Sequence, residues 1–264
     1  MSEGEELIGT GEPPPPARAP AGQGGATGDG LAGKTVVVTG ASRGIGLEVA
    51  RMMAAEGAWV GMVARSRDPL AAAAAEVGGH AIPGDVGEPG GVHALATYVT
   101  ELLGDAPDVL VSSAGAFALA RIADTDPADF ERLIAVNLRG PFLLARAFLP
   151  LMLRRRSGHL IHVGSVAGRA AYAENGAYSA SKFGLRGMHE VLLQEVRGSG
   201  VRATLIEPAA TDTALWDAID PSAHPGLPAR ASMLRAEDVA RVVVFAAGQP
   251  RHVQIPTIAV EAAG

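Results

Sequence analysis

The chain has 264 residues, 48% of them apolar and 4% aromatic, with a formal net charge of −6. That length allows one domain with a sizeable core, and the acidic balance excludes the concentrated positive face that nucleic acid requires. With no cysteine and only seven scattered histidines, disulfides, thiolate metal sites and a histidine metal cluster are not expected.

Residues 1–30 carry four prolines at 13–16 and a glycine-rich run at 22–30. Such a composition cannot bury enough apolar surface to offset chain ordering, so a disordered tail is expected, with residues 31–264 forming one domain. The tail holds no apolar core of a signal peptide. No apolar run is expected to reach the ~18 residues of a membrane span, and the sequence reads as a soluble, cytoplasmic protein.

A β-branched strand over residues 34–39 runs into Gly40, Ala41, Ser42, Arg43, Gly44, Ile45 and Gly46, followed by a helix over 47–56. Strand, glycine loop and helix in succession let the backbone approach a phosphate while the helix N-terminus offers free N–H groups. The glycine spacing departs from the commoner dinucleotide fingerprint, but the position after the first buried strand suits a dinucleotide. A second strand over 59–63 leads to Arg65, with no acidic residue at its end to accept from a ribose 2′-hydroxyl. Arg43 and Arg65 are therefore placed to hold a 2′-phosphate, which favours NADP(H) while leaving NAD(H) open.

Asp68 and Pro69 start a helix that continues through the alanine run at 71–75. A third strand near 80–82 ends in Gly84, Asp85 and Val86, and a helix around 92–103 leads to a fourth strand at 109–112. This alternation predicts an α/β fold whose parallel sheet is covered on both faces, with right-handed crossovers. Asp126 and Pro127 cap the next helix, which carries Asn137. Gly140 and Pro141 interrupt the pattern. The apolar stretch 142–153 then ends in Arg154, Arg155 and Arg156 before a helix-ending Gly158, where positive charge complements the macrodipole.

Ser165 follows an apolar strand over 159–163, in which His159 and His162 point to opposite faces because their separation is odd. Tyr178 and Lys182 lie four apart and share one face of a helix. A nearby ammonium favours the phenolate, bringing a group that titrates near pH ~10 toward use as an acid and base. The long segment 212–234, with Pro221, Pro225 and Pro228 and a short helical piece at 214–218, reads as a lid. Trp216, Leu215, Phe117 and Tyr172 are candidates to line an apolar pocket, and each is equally consistent with ordinary core or interface. Glu237 and Asp238 begin a helix through 247, and 255–260 is the last strand.

Taken together, residues 39–46, Ala114 with Gly115, Asn137, Ser165, and Tyr178 with Lys182 resemble, in order and spacing, the short-chain dehydrogenase/reductases over roughly residues 33–260. That resemblance implies a single Rossmann-type doubly wound domain with a seven-stranded parallel sheet and a cofactor at the carboxyl ends of the strands. It implies that Tyr178 exchanges a proton with the oxygen of a carbonyl or secondary alcohol substrate, which Ser165 holds. Lys182 lowers the phenol pKa and binds the nicotinamide ribose, and Asn137 anchors a water. Asp85 and Val86 contact adenine, Ser113, Ala114 and Gly115 border the cofactor, and Pro208, Ala209, Thr211 and Thr213 touch the nicotinamide. Family members are commonly homodimers or homotetramers, joined here through the helices of Asn137 and Lys182. Two departures stand out: Ser112 and Ser113 replace two asparagines, and Ala209 replaces a glycine, which would be strained at positive φ. A non-catalytic NADP(H) sensor or structural partner on the same fold is the alternative. An epimerase or dehydratase would need a larger substrate domain.

Overall fold

The computed structural model describes residues 30–219, 221, 224 and 226–263; the expected tail lies outside them except for Gly30. Runs of Val, Leu and Ile without polar alternation make strands buried on both faces, the mark of a parallel sheet. They are β1 (Thr35–Thr39), β2 (Trp59–Ala64), β3 (His80–Pro83), β4 (Val109–Ser112), β5 (Gly158–Val163), β6 (Val201–Pro208) and, after two short strands, β9 (Thr257–Val260). All pair in parallel in the order β3-β2-β1-β4-β5-β6-β9. The order reverses between β1 and β4, where a crevice opens at the carboxyl ends of the strands. The short β7 (Thr211–Asp212) and β8 (Leu234–Arg235) form a separate parallel pair that joins the two ends of the segment between them.

Helices cover both faces. On one side α1 (Gly44–Ala55), α2 (Arg67–Val77) and α7 (Ala236–Ala247) bury Val49, Met53, Leu70, Val239 and Val243. On the other, α3 (Pro89–Leu103), α5 (Gly140–Arg155) and α6 (Gly176–Glu195) bury Leu95, Val99, Leu144, Phe148, Met152 and Leu192. The architecture is the doubly wound domain with a seven-stranded parallel sheet.

Several local expectations change. Helix α1 begins at Gly44, so the glycine loop runs directly into its first turn. Ser66 is the N-cap of α2, and Asp68 lies in the first turn, where its charge meets the positive helix end. The helix before β5 ends on Arg156 at φ 55; Gly158 opens the strand instead. Arg155 is not a solvated end charge, since its guanidinium donates to the Ala106 and Pro107 carbonyls, at 2.6 Å each.

Gly140 and Pro141 do not interrupt the helix. An α-helix α4 (Pro127–Ile134) passes through a π turn (Ala135–Arg139) directly into α5. Gly140 N donates to Ala135 O across that wider turn, and Pro141, which has no N–H, takes the next position without breaking the run. Gly140 also allows close packing, because a Cβ there would lie 2.7 Å from Val86 O. The run Pro127–Arg155 has 29 residues and is long and apolar enough by composition to cross a membrane, contrary to the reading that no stretch is. Here Leu133, Leu144, Phe148 and Met152 on it are buried in the protein.

Candidate active site

Thr39 joins the ends of the two strands at the crevice. Its Oγ1 accepts from Ser113 N and Ala114 N, both at 3.1 Å, and donates to Val111 O at 3.4 Å. Gly40 (φ 70) packs against this junction so closely that a Cβ would lie 2.8 Å from Ala114 Cα, and a Cβ on Gly46 would lie 2.4 Å from Gly40 O. The bare backbone leaves a cleft of about 450 Å³.

Gly40, Ser42, Arg43, Gly44, Ile45 and Gly46 line it together with Arg65, Asp85, Val86, Ser113, Ala114, Gly115 and Thr213. These residues fit a dinucleotide: a glycine cradle at a helix N-terminus suits a pyrophosphate, and two arginines line the same cleft. Among the described residues neither Arg43 nor Arg65 is engaged in an ion pair. Asp85 Oδ1 accepts from Gly87 N at 2.8 Å, which holds its loop. Pro208, Ala209 and Thr211 stand behind the lining: Ala209 N donates to Val260 O at 2.8 Å and Thr211 Oγ1 to Ala209 O at 2.9 Å. Ala209 is free of the feared strain, since the non-glycine residues at positive φ among those described are Arg156 and Glu174. Ser112 is buried, and its Oγ has no hydrogen-bond partner.

Ser66, Arg132 and Val136 also line the cleft and were not foreseen. Ser66 adjoins Arg65 and could have been read from that adjacency. Arg132 and Val136 arrive through the packing of α4 and the π turn, for which no local motif exists.

Ser165 closes β5, its Oγ accepting from Ala167 N at 3.1 Å. Its side chain also lies close enough to Tyr178 to act on the phenol. Burial pushes the Tyr178 phenol above its usual value, while Ser165 pulls it down. Lys182 is not among the groups that shift the Tyr178 phenol. Its Nζ donates to Val163 O at 2.9 Å and sits 5.8 Å from the Tyr178 ring centroid, so the carbonyl anchors the amine and the pull on the phenol comes from Ser165. Burial lowers Lys182 itself to about 8.

Asn137 is buried in the π turn. Its Oδ1 accepts from Ala116 N at 2.8 Å, and its Nδ2 donates to Ala116 O at 2.9 Å and Ser181 Oγ at 3.0 Å. The side chain thus clamps the loop after Gly115 to α6. Ser181, which donates to Tyr178 O at 2.6 Å, completes that clamp and was not singled out from sequence. Of the pocket candidates, Phe117 meets both Tyr178 and Trp216, and Leu215 lines the cleft. Tyr172 is half exposed.

His159 and His162 do face opposite ways, to Thr204 Oγ1 at 2.9 Å and to His189 Nδ1 at 3.1 Å. No group of three potential metal ligands occurs among the described residues.

A family model described as short chain dehydrogenase matches residues 34–223. The chain is 36% identical over 239 residues to the glycine betaine reductase ATRR of Emericella nidulans, spanning 88% of this chain but only 19% of that protein. It is 33% identical over 233 residues to an uncharacterized oxidoreductase of Staphylococcus aureus, covering 87% of this chain and 97% of the relative. The crystal structure of a metagenomic short-chain oxidoreductase in complex with NADP superposes with a TM-score of 0.75 at 34% identity, over 89% of this chain and 99% of that one.

Proposed function

As a member of the short-chain dehydrogenase/reductase family this chain is an oxidoreductase that uses NAD(P), and we propose that it interconverts a carbonyl and a secondary alcohol with NADP(H), Tyr178 serving as acid and base. The observation that carries this reading is the placement of the Tyr178 phenol beside Lys182, whose Nζ lies 5.8 Å from the ring centroid, with the Ser165 side chain close enough to pull the phenol down. The bound nicotinamide supplies or accepts the hydride. Ser165 and Tyr178 aim two hydroxyls at the oxygen where negative charge develops during reduction. The phenol, kept protonated by burial, gives up its proton there, and in the reverse direction the phenolate takes one. Lys182 holds positive charge below the ring from its anchor on Val163 O.

Arg43 and Arg65 are proposed to hold the 2′-phosphate, a reading supported by their both lining the cleft and by the NADP bound to the metagenomic relative. Phe142 on α5 and Phe183 and Val191 on α6 are exposed, which supports a homodimer or homotetramer joined through these helices. A sensor that only binds NADP(H) would have no use for a phenol set beside an ammonium and a second hydroxyl. Tyr178→Phe should lower turnover by at least about 100-fold while cofactor affinity, measured by titration, stays within a few-fold. Full turnover in that variant would refute the assignment.

A further inference from the structure

Eleven of the 264 residues are aromatic, and three of them meet at one point. The Phe117 ring stands edge-on to Tyr178 with centroids 4.8 Å apart and planes at 81°, and it meets Trp216 at 5.1 Å and 62°. Among the described residues the fully buried core, by contrast, uses a single aromatic side chain, Phe148. The protein therefore places scarce aromatic surface beside the reacting phenol rather than in its interior.

The indole nitrogen of this wall is already engaged. Trp216 Nε1 donates to Thr211 O at 3.1 Å, leaving the ring an apolar surface. Leu215, 39% exposed, lines the adjoining cleft. Ile122, 84% exposed, lies over Gly176, where a Cβ would be 2.7 Å from Ile122 Cγ1. Apart from Lys182, which Val163 O holds beneath the phenol, the cations of the loops that carry this wall are paired: Arg230 with Asp212 at 3.1 Å and Asp217 at 2.7 Å, and Arg121 with Glu174 at 3.9 Å. A carboxylate or phosphate on the substrate would meet no free counter-charge among these residues, and burying an unpaired anion is unfavourable. An uncharged flat ring would extend the edge-to-face array that already exists.

We infer that the substrate is an uncharged ketone, or its alcohol, bearing an aryl or comparably flat apolar group next to the reacting carbon, and that Phe117 is the specificity-determining residue that receives this group. The inference rests on the proposed carbonyl chemistry for its site but not for its test. Tyr178→Phe protein saturated with NADPH keeps the three-ring wall and blocks turnover, so binding can be measured alone by saturation-transfer NMR and calorimetry. Acetophenone should bind at least ~10-fold more tightly than butan-2-one, and 4-acetylbenzoate at least ~10-fold more weakly than acetophenone. Adding Phe117→Ala should remove most of the preference for acetophenone, whereas Phe117→Leu, which keeps bulk without a ring, should keep part of it.

Equal affinity for acetophenone and butan-2-one, tight binding of 4-acetylbenzoate, or an undiminished preference after Phe117→Ala would each overturn the inference. The three-ligand comparison uses no Phe117 variant, so it decides the matter even where Phe117→Ala does not fold. Should the preference hold while wild-type protein consumes no NADPH with any ketone, the aromatic wall stands and the proposed reaction falls.

Discussion

At Tyr178 two opposing effects set the working pH. Burial raises the phenol and Ser165 lowers it. A raised value keeps the acid form at neutral pH, so carbonyl reduction should be flat around pH 7 and fall only in the alkaline range, while alcohol oxidation should rise with pH. Ser165→Ala removes the downward pull and one donor to the substrate oxygen. It should move the alkaline limb of alcohol oxidation to higher pH and cost about 100-fold or more in kcat/KM; an unshifted limb would show that Ser165 does not tune the phenol. Replacing Arg43 and Arg65 by Ala should weaken NADPH by at least about 10-fold and NADH by far less, a difference that cofactor titration reads directly. The four-residue spacing of Tyr178 and Lys182 was enough to place both on one helix face. It held no information on where a long amine would end, and the Val163 carbonyl, supplied by a distant strand, decided that.

Among the elements, the glycine loop was legible because its constraint is local: a strand end, a tight turn and a helix start follow one another in sequence. The π turn was not. Gly140 and Pro141 carry the marks of a helix break, and only the packing of Gly140 on Val86 O and the Gly140–Ala135 bond explain why the helix goes on. No local motif marks Asn137 in that turn apart from its likeness to the family pattern, yet it makes three hydrogen bonds. Asn137→Ala leaves both backbone groups of Ala116 without their partner and should cost about 1–3 kcal/mol, seen as a lower urea midpoint. It should also loosen the loop that carries Gly115. A midpoint equal to wild type would mean that the clamp is replaced by water at no cost.

For the molecule as a whole, alternating strands and helices and the order of the motifs were sufficient to foresee a seven-stranded parallel sheet, because right-handed crossovers leave few other arrangements. The ionisation of the interior was not foreseeable, since it depends on neighbours far apart in the chain. Burial holds His159 well below its ordinary value, lowers His189, and takes His162 down to about 3, with the charges of His189 and Lys182 adding to the effect on His162. The unfolded chain takes up these protons below about pH 6.5 while the folded one does not. Stability should therefore fall as pH drops from 6.5 toward the folded values. His162 alone should contribute a loss of about 2 kcal/mol at pH 5, and urea midpoints compared at pH 7 and pH 5 would measure it. Identical midpoints would show that these imidazoles titrate freely.

The uninterrupted rod from Pro127 to Arg155 has a geometric consequence for both of its ends. Nineteen positions separate Leu133 from Met152, which at ~100° per residue overshoots five whole revolutions by about 100°. A strictly α-helical rod would turn one of the two outward. The broader coil at Ala135–Arg139 absorbs one residue's rotation, so the two ends come back into phase and both side chains are fully enclosed. The same slip swings Asn137 toward Ser181. One irregular turn thereby keeps the apolar seam and the polar clamp in step.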